Sequence, residues 1–235
     1  MEEKLNKISE YFKLLNINLN NEQTKQFVDY YNLLVEWNSK FNLTTITDFD
    51  EVVKKHFMDS VQAVMHLNEN AKVIDVGCGA GFPSIPLKIL RPDLDFVLVD
   101  SVNKKITFID EVIKVLKLKK IKAIHSRIED LAKKSEYREN FDYSVARAVS
   151  KLNTLYEYTL PFLKINGKLI AYKSIEVDEE IISSKKACSI LGGCLEKMHD
   201  VSFLGFDRKL VVINKVNTTP SKYPRNGNKP RLQPL

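Results

Sequence analysis

Three glycines at alternate positions, Gly77, Gly79 and Gly81, follow the short apolar run that carries Asp75. A glycine-rich turn between a buried strand and a helix lets the main chain lie against a ligand, because no side chains fill the space and glycine accepts positive φ. Dinucleotide sites have the spacing G-x-G-x-x-G. Here the third glycine comes one residue early and Phe82 stands where that pattern has a small residue, which disfavours a nicotinamide cofactor.

The next two apolar runs along the chain are also followed by carboxylates. Asp100 ends the run DFVLVD, about 20 residues after the glycine turn, where a carboxylate can accept both ribose hydroxyls of a nucleoside. Ile128 and Glu129 follow the run KAIHS and offer an apolar face and a polar edge to a purine. A loop or cap role for Asp100, and a solvated helix start at Glu129, are the alternatives.

Two kinds of sequence pattern position these residues. Up to about residue 67, apolar residues recur every three to four positions without glycine or proline, which predicts a helical block over residues 1–67. Over residues 68–217, short β-rich runs alternate with helical ones, which is typical of βαβ units and a mostly parallel sheet with helices on both faces. KLVVINKV is predicted as a late strand that closes the sheet.

The last segment, residues 218–235, is basic, rich in proline and without acidic residues. This composition predicts an extended tail that orders only against a partner. The whole chain has 36 Lys and Arg against 30 Asp and Glu, a formal net charge of +6, which favours a polyanionic partner such as nucleic acid. Candidate contacts to RNA phosphates and bases are Lys173, Lys222, Tyr223 and Arg225.

Composition also restricts the class of protein. With 235 residues, 44% of them hydrophobic, the chain can fill a core. Its three cysteines fit neither a disulfide framework nor a zinc pattern. No apolar stretch has the length of a targeting or membrane segment. We therefore expect a cytoplasmic monomer with no metal and no membrane contact.

The glycine stretch resembles the first motif of S-adenosylmethionine-dependent methyltransferases of the Rossmann-like class I, an apolar strand followed by D-x-G-x-G-x-G. This resemblance implies that the glycines border the methionine part of the cofactor, with Asp75 positioning the turn and Asp100 binding the ribose. The fourth strand run, DYSVARAV, lacks the D/N-P-P-Y/F element of amino-group methyltransferases, and no cysteine has the context of a pyrimidine C5 nucleophile. A purine ring nitrogen needs neither, since it has a free lone pair.

Taken in order, several segments are similar to the bacterial small-subunit ribosomal RNA guanine-N7 methyltransferases, also called the glucose-inhibited division protein B family. The segments are WNSKFNLT, KHFMDS, VIDVGCGAGFPSIPLKILRP, LVDSVNKKITFI, SRIED, ARA and YPR. The resemblance implies an α/β, Rossmann-like class I fold with an N-terminal helical extension, S-adenosylmethionine as cofactor, and a guanine of the 530 loop of 16S ribosomal RNA as substrate, in the small subunit or its precursor. Carried over, the family's cofactor contacts fall on Gly77, Phe82, Ile128, Glu129 and Arg147.

Arg147 is expected at the carboxyl end of the fourth strand, where ligands bind in open α/β sheets. On the resemblance it binds the cofactor and can contact guanine O6, while the usual fork on O6 and N7 is excluded because N7 must stay free to attack. An interdomain ion pair is the alternative. His56 and Asp59 lie one helical turn apart; the resemblance places them at the mouth of the site, and a structural pair is the alternative.

No residue is assigned as a catalytic acid or base, because guanine N7 has no proton to lose. Two other functions stay open from the sequence. One is a methyltransferase that uses the same cofactor on another RNA or on a protein. The other is a ribosome assembly factor that keeps the fold without turnover.

Overall fold

A computed structural model describes residues 1–235 as a seven-stranded sheet between two layers of helices. The strands lie in the order β3-β2-β1-β4-β5-β7-β6, with β1 to β5 parallel and β7 antiparallel to both β5 and β6. The strands are β1 Lys72–Val76, β2 Asp95–Asp100, β3 Ile121–His125, β4 Phe141–Arg147, β5 Leu163–Ser174, β6 Gly193–Phe203 and β7 Phe206–Lys215. The α-helices are α1 Glu2–Lys13, α2 Asn21–Asn38, α3 Phe49–Val52, α4 Ser84–Leu90, α5 Asn103–Val115, α6 Ile128–Leu131, α7 Leu152–Thr159, α8 Asp178–Ile190 and α9 Lys229–Leu232.

Alternate residues of the central strands face two different cores. Val73 and Phe96 pack into the core that also contains apolar residues of α1, α2, α4 and α5. Their neighbours Ile74 and Val97 pack on the other side, with α7 and α8. Because both faces are covered, β1 and β2 are nearly continuous apolar runs, and this is why their positions could be predicted from the sequence.

Strand β6 was missed by the sequence analysis. The sequence GCLEKMHDVSF is an edge strand in which most side chains are exposed, so it has neither the apolar run nor the clean alternation that identifies a strand. Its partner β7, predicted from KLVVINKV, is confirmed.

Residues 1–67 are mostly helical, and two of the helices have a side-chain cap at the first turn. Asn20 Oδ1 accepts a hydrogen bond from Gln23 N at 2.8 Å, and Asp48 Oδ1 accepts from Glu51 N at 3.0 Å. After α3 the helix widens into a π-helical turn, Val53–Met58, which a 3₁₀ segment, Val61–His66, follows. Isolated π-helical turns are frequent at functional sites.

The block shares its core with the sheet. The ring centroid of Tyr30 lies 5.3 Å from that of Phe57 and 5.5 Å from that of Phe82. Phe82 directly follows the last glycine of the turn. Tyr30 Oη also donates a hydrogen bond to the carbonyl of Ala80 at 2.6 Å. The helical block therefore supports the glycine turn directly, and a division into separate domains at residues 67 and 217 stays a prediction. None of the helices combines the length and apolar character needed to cross a membrane.

The prediction that residues 218–235 order only against a partner is wrong. Arg138 donates to the carbonyls of Thr219 and Tyr223 at 2.8 and 2.9 Å, and the side chain of Tyr223 is buried in the second core. Arg225 forms hydrogen bonds to both carboxylate oxygens of Glu157. The prolines make the segment extended, but Arg138 and Glu157 hold it in place. The composition of the segment cannot reveal these partners, because they lie elsewhere in the chain.

We expect Arg225→Ala to lower the free energy of unfolding by about 3 kcal/mol, because it leaves the fully buried carboxylate of Glu157 without its cation. Urea denaturation measures this change. Lys222→Ala, at an exposed neighbouring position, is the matched control and should stay within about 0.5 kcal/mol of the wild type. Equal midpoints for the Arg225→Ala protein and the wild type would show that this ion pair does not anchor the tail.

Candidate cofactor and substrate site

The glycine turn follows β1, and all three glycines have positive φ: +74° at Gly77, +59° at Gly79 and +96° at Gly81. An added Cβ at Gly79 would meet nothing within 4 Å, whereas one at Gly81 would lie 2.6 Å from the side chain of Ile85. The turn is therefore open to a ligand at Gly79 and packed against the protein at Gly81.

Asp75 lies beneath this turn and is fully buried. Its Oδ2 accepts a hydrogen bond from Ser84 Oγ at 2.6 Å, while Oδ1 has no partner. Burial raises the pKa of Asp75 to about 7, opposed by the Ser84 hydrogen bond and by the charge of Arg147. An unpartnered carboxylate oxygen next to an open glycine turn fits a ligand that carries positive charge or hydrogen-bond donors.

The raised pKa predicts how stability depends on pH. The pKa of an unfolded aspartate is about 4, so between about pH 4 and pH 7 the folded protein binds one more proton at Asp75 than the unfolded chain does. The stabilisation is fully present below the unfolded pKa and is lost as pH rises through the folded value. Relative to Asp75→Asn, the wild type should lose on the order of 3 kcal/mol of unfolding free energy between about pH 5 and pH 8. Urea denaturation at both pH values tests this; parallel losses in the two proteins would contradict it.

Asp100 connects the end of β2 to the glycine turn. Its Oδ2 accepts from Gly79 N at 3.0 Å, and its Oδ1 accepts from Val102 N at 2.9 Å. Lys105 Nζ lies 3.5 Å from Oδ2. Since β1, β2 and β3 are parallel neighbours, the turn, Asp100 and the start of α6 meet at the same edge of the sheet.

The start of α6 completes this edge. Glu129 is buried, and Ile128 is half-buried beside the second core. β1 lies between β2 and β4. The chain segments that follow β1 and β4 lead to opposite sides of this point, so a crevice opens between them at the carboxyl ends of the strands. The structure thus brings together the cofactor residues expected from the sequence, and their contacts with the cofactor stay predictions.

Arg147 ends β4 and is held by the π-helical turn. Its guanidinium donates to Asp59 Oδ2 at 2.8 Å, to the Lys55 carbonyl at 3.0 Å and to His56 Nδ1 at 3.1 Å. The guanidinium carbon lies 5.0 Å from the ring centroid of Phe82. The structure therefore contains the ion pair that was the alternative for Arg147, and this pair fixes the helical block against the sheet.

His56 is neutral in this arrangement. Because a guanidinium only donates, His56 Nδ1 accepts from Arg147, and Nε2 carries the proton and donates to Thr44 Oγ1 at 2.9 Å. Burial, followed by the charge of Arg147, lowers the pKa of His56 to about 4. The imidazole stacks on Phe82 at 4.5 Å between centroids, so it packs directly against the glycine turn.

A cavity of about 510 Å³ adjoins Arg147 on the side of β5 and β7. Its wall includes Lys55, Asp59, Arg147, Lys173, Phe206 and Arg208. A larger cavity, about 610 Å³, includes Asp142 and Lys164 in its wall and lies at the amino end of the sheet, far from the glycine turn. The cavity beside Arg147 is the candidate substrate pocket because it adjoins the cofactor edge.

Arg208 was missed by the sequence analysis. Its Nε donates to Asp59 Oδ1 at 3.2 Å, so the buried Asp59 carboxylate holds one arginine on each oxygen. No motif surrounds Arg208, and only the antiparallel pairing of β7 with β5 brings it here. Lys173, which was predicted, does line the cavity, but its Nζ is engaged by the Ser150 carbonyl at 2.8 Å and Glu180 Oε1 at 2.7 Å.

The three tail residues predicted to contact RNA lie away from this cavity's wall. Burial of Tyr223 argues against its stacking on a base, and the guanidinium of Arg225 is committed to Glu157. Lys222 is exposed. Of these three, Lys222 alone keeps a cation available to a phosphate.

Residues 23–211 match the family model described as GidB, rRNA small subunit methyltransferase G. The chain belongs to this family. As a member of the rRNA small subunit methyltransferase G family, it is 46% identical to the ribosomal RNA small subunit methyltransferase G of Desulforamulus reducens, over 95% of each chain. It is 49% identical to the protein of the same name from a Thermoanaerobacter species, over 90% of each chain.

Solved structures show the fold of this methyltransferase G family member. TYW2 of M. jannaschii in complex with AdoMet gives a TM-score of 0.55 at 18% identity, covering 68% of this chain and 76% of that one. A SAM-dependent methyltransferase from Aquifex aeolicus gives 0.52 at 18% identity, covering 70% and 93%. The family resemblance and the Rossmann-like class I fold expected from the sequence are both confirmed.

Proposed function

We propose that this protein transfers a methyl group from S-adenosylmethionine to N7 of a guanine in the 530 loop of 16S ribosomal RNA. Its family fixes the class of enzyme, a small-subunit rRNA methyltransferase that depends on S-adenosylmethionine. The observation that supports N7 is the substrate cavity beside Arg147. Its wall contains no cysteine, and its one histidine, His56, is neutral and already hydrogen-bonded.

Methyl transfer to a ring nitrogen requires no acid or base from the residues of the cavity wall. S-adenosylmethionine supplies an electrophilic methyl group, and a ring nitrogen with a free lone pair can take it without losing a proton. The protein must therefore hold donor and acceptor in line at about 3 Å and keep water out. Asp59 and Arg147 do this by joining the helical block to β4, since they fix one wall of the cavity in place.

We assign cofactor binding to the edge formed by the glycine turn and the two strands beside it. Asp100 is placed to accept the ribose hydroxyls, and Asp75 supplies the unpartnered oxygen. The full assignment comprises Asp75, Gly77, Gly79, Gly81, Phe82, Asp100, Ile128, Glu129 and Arg147. Arg147 acts on the cofactor side chiefly by holding Phe82 and the π-helical turn.

We propose that the RNA binds at the cavity mouth rather than along residues 218–235. Lys55 lies in the cavity wall and pairs with Glu51, whose side chain is itself 39% exposed, so its ammonium can turn to a phosphate next to a base that enters. Lys173 and Arg208, which are held by Glu180 and Asp59, add positive charge to the same wall. We propose 16S ribosomal RNA, free or within the small subunit or its precursor, as the substrate and a monomer as the active form.

The decisive test is incubation of the protein with radiolabelled S-adenosylmethionine and small ribosomal subunits that lack their native methylation, followed by nucleoside mapping. Label at N7 of a guanine in the 530 loop is the expected result. Label at another position, in another RNA or in a protein would overturn the assignment of the target. Cofactor binding without any transfer would favour an assembly role.

A further inference from the structure

The turn that joins β6 to β7 carries an unexpected residue. Phe203 pairs with Phe206, so the loop consists of Leu204 and Gly205 alone, with φ of +50° and +79°. Such two-residue loops favour Asn-Gly because both positions need positive φ. Leu204 instead holds a large apolar side chain in this conformation, and 44% of the residue is exposed. Neither the turn nor the core requires a leucine here.

This hairpin tip lies at the rim of the substrate cavity. Phe206, two residues from Leu204, is part of the cavity wall, and its ring centroid lies 5.9 Å from Lys55 Nζ and 5.7 Å from the ring centroid of Phe203. Two residues further along β7, Arg208 reaches Asp59 inside the cavity. An exposed apolar tip therefore stands beside the opening through which a substrate must enter.

The charges around the tip suit a nucleic acid better than an apolar partner. The cavity wall beside the tip carries four cationic side chains, Lys55, Arg147, Lys173 and Arg208, against the one carboxylate of Asp59. Lys55 is the most accessible of them, because its partner Glu51 is itself partly exposed and lies outside this wall. Cations next to exposed apolar and aromatic side chains are the combination that holds phosphates while bases stack. The tip is thus placed to contact the strand that delivers a base to the cavity.

A base can reach this cavity only by leaving its stack, which opens a gap in the RNA. Apolar side chains such as leucine and phenylalanine fill such gaps in other nucleic-acid complexes. We propose that Leu204 enters the gap left by the target base and keeps that base turned into the cavity, with Phe206 behind it. This inference rests on the proposed function, since it assumes that the methyl acceptor is an RNA base.

Steady-state methylation of unmethylated small subunits tests the role of Leu204. Leu204→Asn keeps the hairpin, because Asn-Gly suits this turn, but removes the apolar side chain. We expect kcat to fall roughly tenfold or more, with unchanged affinity for S-adenosylmethionine and an unchanged melting temperature. Leu204→Met should restore most of the activity. Leu195→Asn, at a residue 39% exposed at the other end of β6, is the matched control and should behave as the wild type.

A photo-crosslink shows where the tip lies on the RNA. With p-benzoylphenylalanine in place of Leu204, irradiation should attach the protein to nucleotides adjacent to the one that the wild type methylates; the same group at residue 195 should not. Wild-type kinetics for Leu204→Asn, or crosslinks only to nucleotides distant from the methylated one, would overturn the proposal that Leu204 enters the gap. Label from the wild type on a different RNA would overturn the proposed target instead, and the same comparison would then be made on that RNA.

Discussion

Replacement of Arg147 by alanine should lower the rate of methyl transfer by roughly 100-fold, the loss that follows when a catalytic arrangement shifts by about 1 Å. The guanidinium makes two hydrogen bonds to the π-helical turn and one to Asp59, which follows that turn, and it lies on Phe82. Without it, the helical wall and the glycine turn lose their common anchor. The free energy of unfolding should also fall by about 3 kcal/mol, because the buried carboxylate of Asp59 keeps only Arg208 as partner.

Two further variants separate the loss of charge from the loss of geometry. Arg147→Lys retains the charge, but one ammonium cannot replace two nitrogens that donate to Asp59 and the Lys55 carbonyl on one side and to His56 on the other. It should therefore stay nearly as inactive as alanine. Adding Asp59→Asn to Arg147→Ala removes the buried carboxylate charge that has lost one of its two arginines, and should recover part of the stability without activity. Single-turnover methylation and urea denaturation measure the two quantities. Near-normal turnover in Arg147→Ala would refute a positioning role.

Gly79→Ala should weaken binding of S-adenosylmethionine by roughly 10- to 100-fold, the effect of about 1–3 kcal/mol of overpacking. An added Cβ at this position meets no protein atom within 4 Å, so the space that it fills is the space proposed for the cofactor. Isothermal titration calorimetry measures the affinity.

A second glycine supplies the control for backbone strain. Gly227 has φ of +61°, close to the +59° of Gly79, and an added Cβ there also meets nothing within 4 Å. Alanine at either position costs about 1–2 kcal/mol of backbone strain, so both variants should lose similar stability. If Gly227→Ala weakened the cofactor as much as Gly79→Ala does, strain alone would explain the effect and the open side of the turn would not be the cofactor site.

The cofactor edge could be predicted from the sequence because its parts are local. A glycine turn, or a carboxylate such as Asp100 at the end of an apolar run, is visible within a few residues. Parallel strands then bring these short signals together at one edge of the sheet. The helix caps at Asn20 and Asp48 are equally local, since a cap bonds to a backbone amide three residues away.

The contacts among the residues on the substrate side could not be predicted, because their partners are distant in sequence. Arg208 is 149 residues from Asp59, and Arg147 is 88 residues from it. Their meeting depends on the antiparallel return of β7 and on the π-helical turn, neither of which has a local signature. The tail was misjudged for a related reason: Arg225 looks like a free cation until Glu157, 68 residues earlier, is placed beside it.

The three glycines of the turn meet different demands. Gly81 faces inward, where an added Cβ would lie 2.8 Å from Ile109 Cδ1 and 3.0 Å from Tyr30 Oη. In a mutational scan, loss of function at Gly81 would therefore reflect loss of folded protein, whereas loss at Gly79 beyond the modest cost of its backbone strain would reflect loss of the proposed ligand. Abundance measured beside activity would distinguish the two, although a motif pattern gives both glycines the same weight.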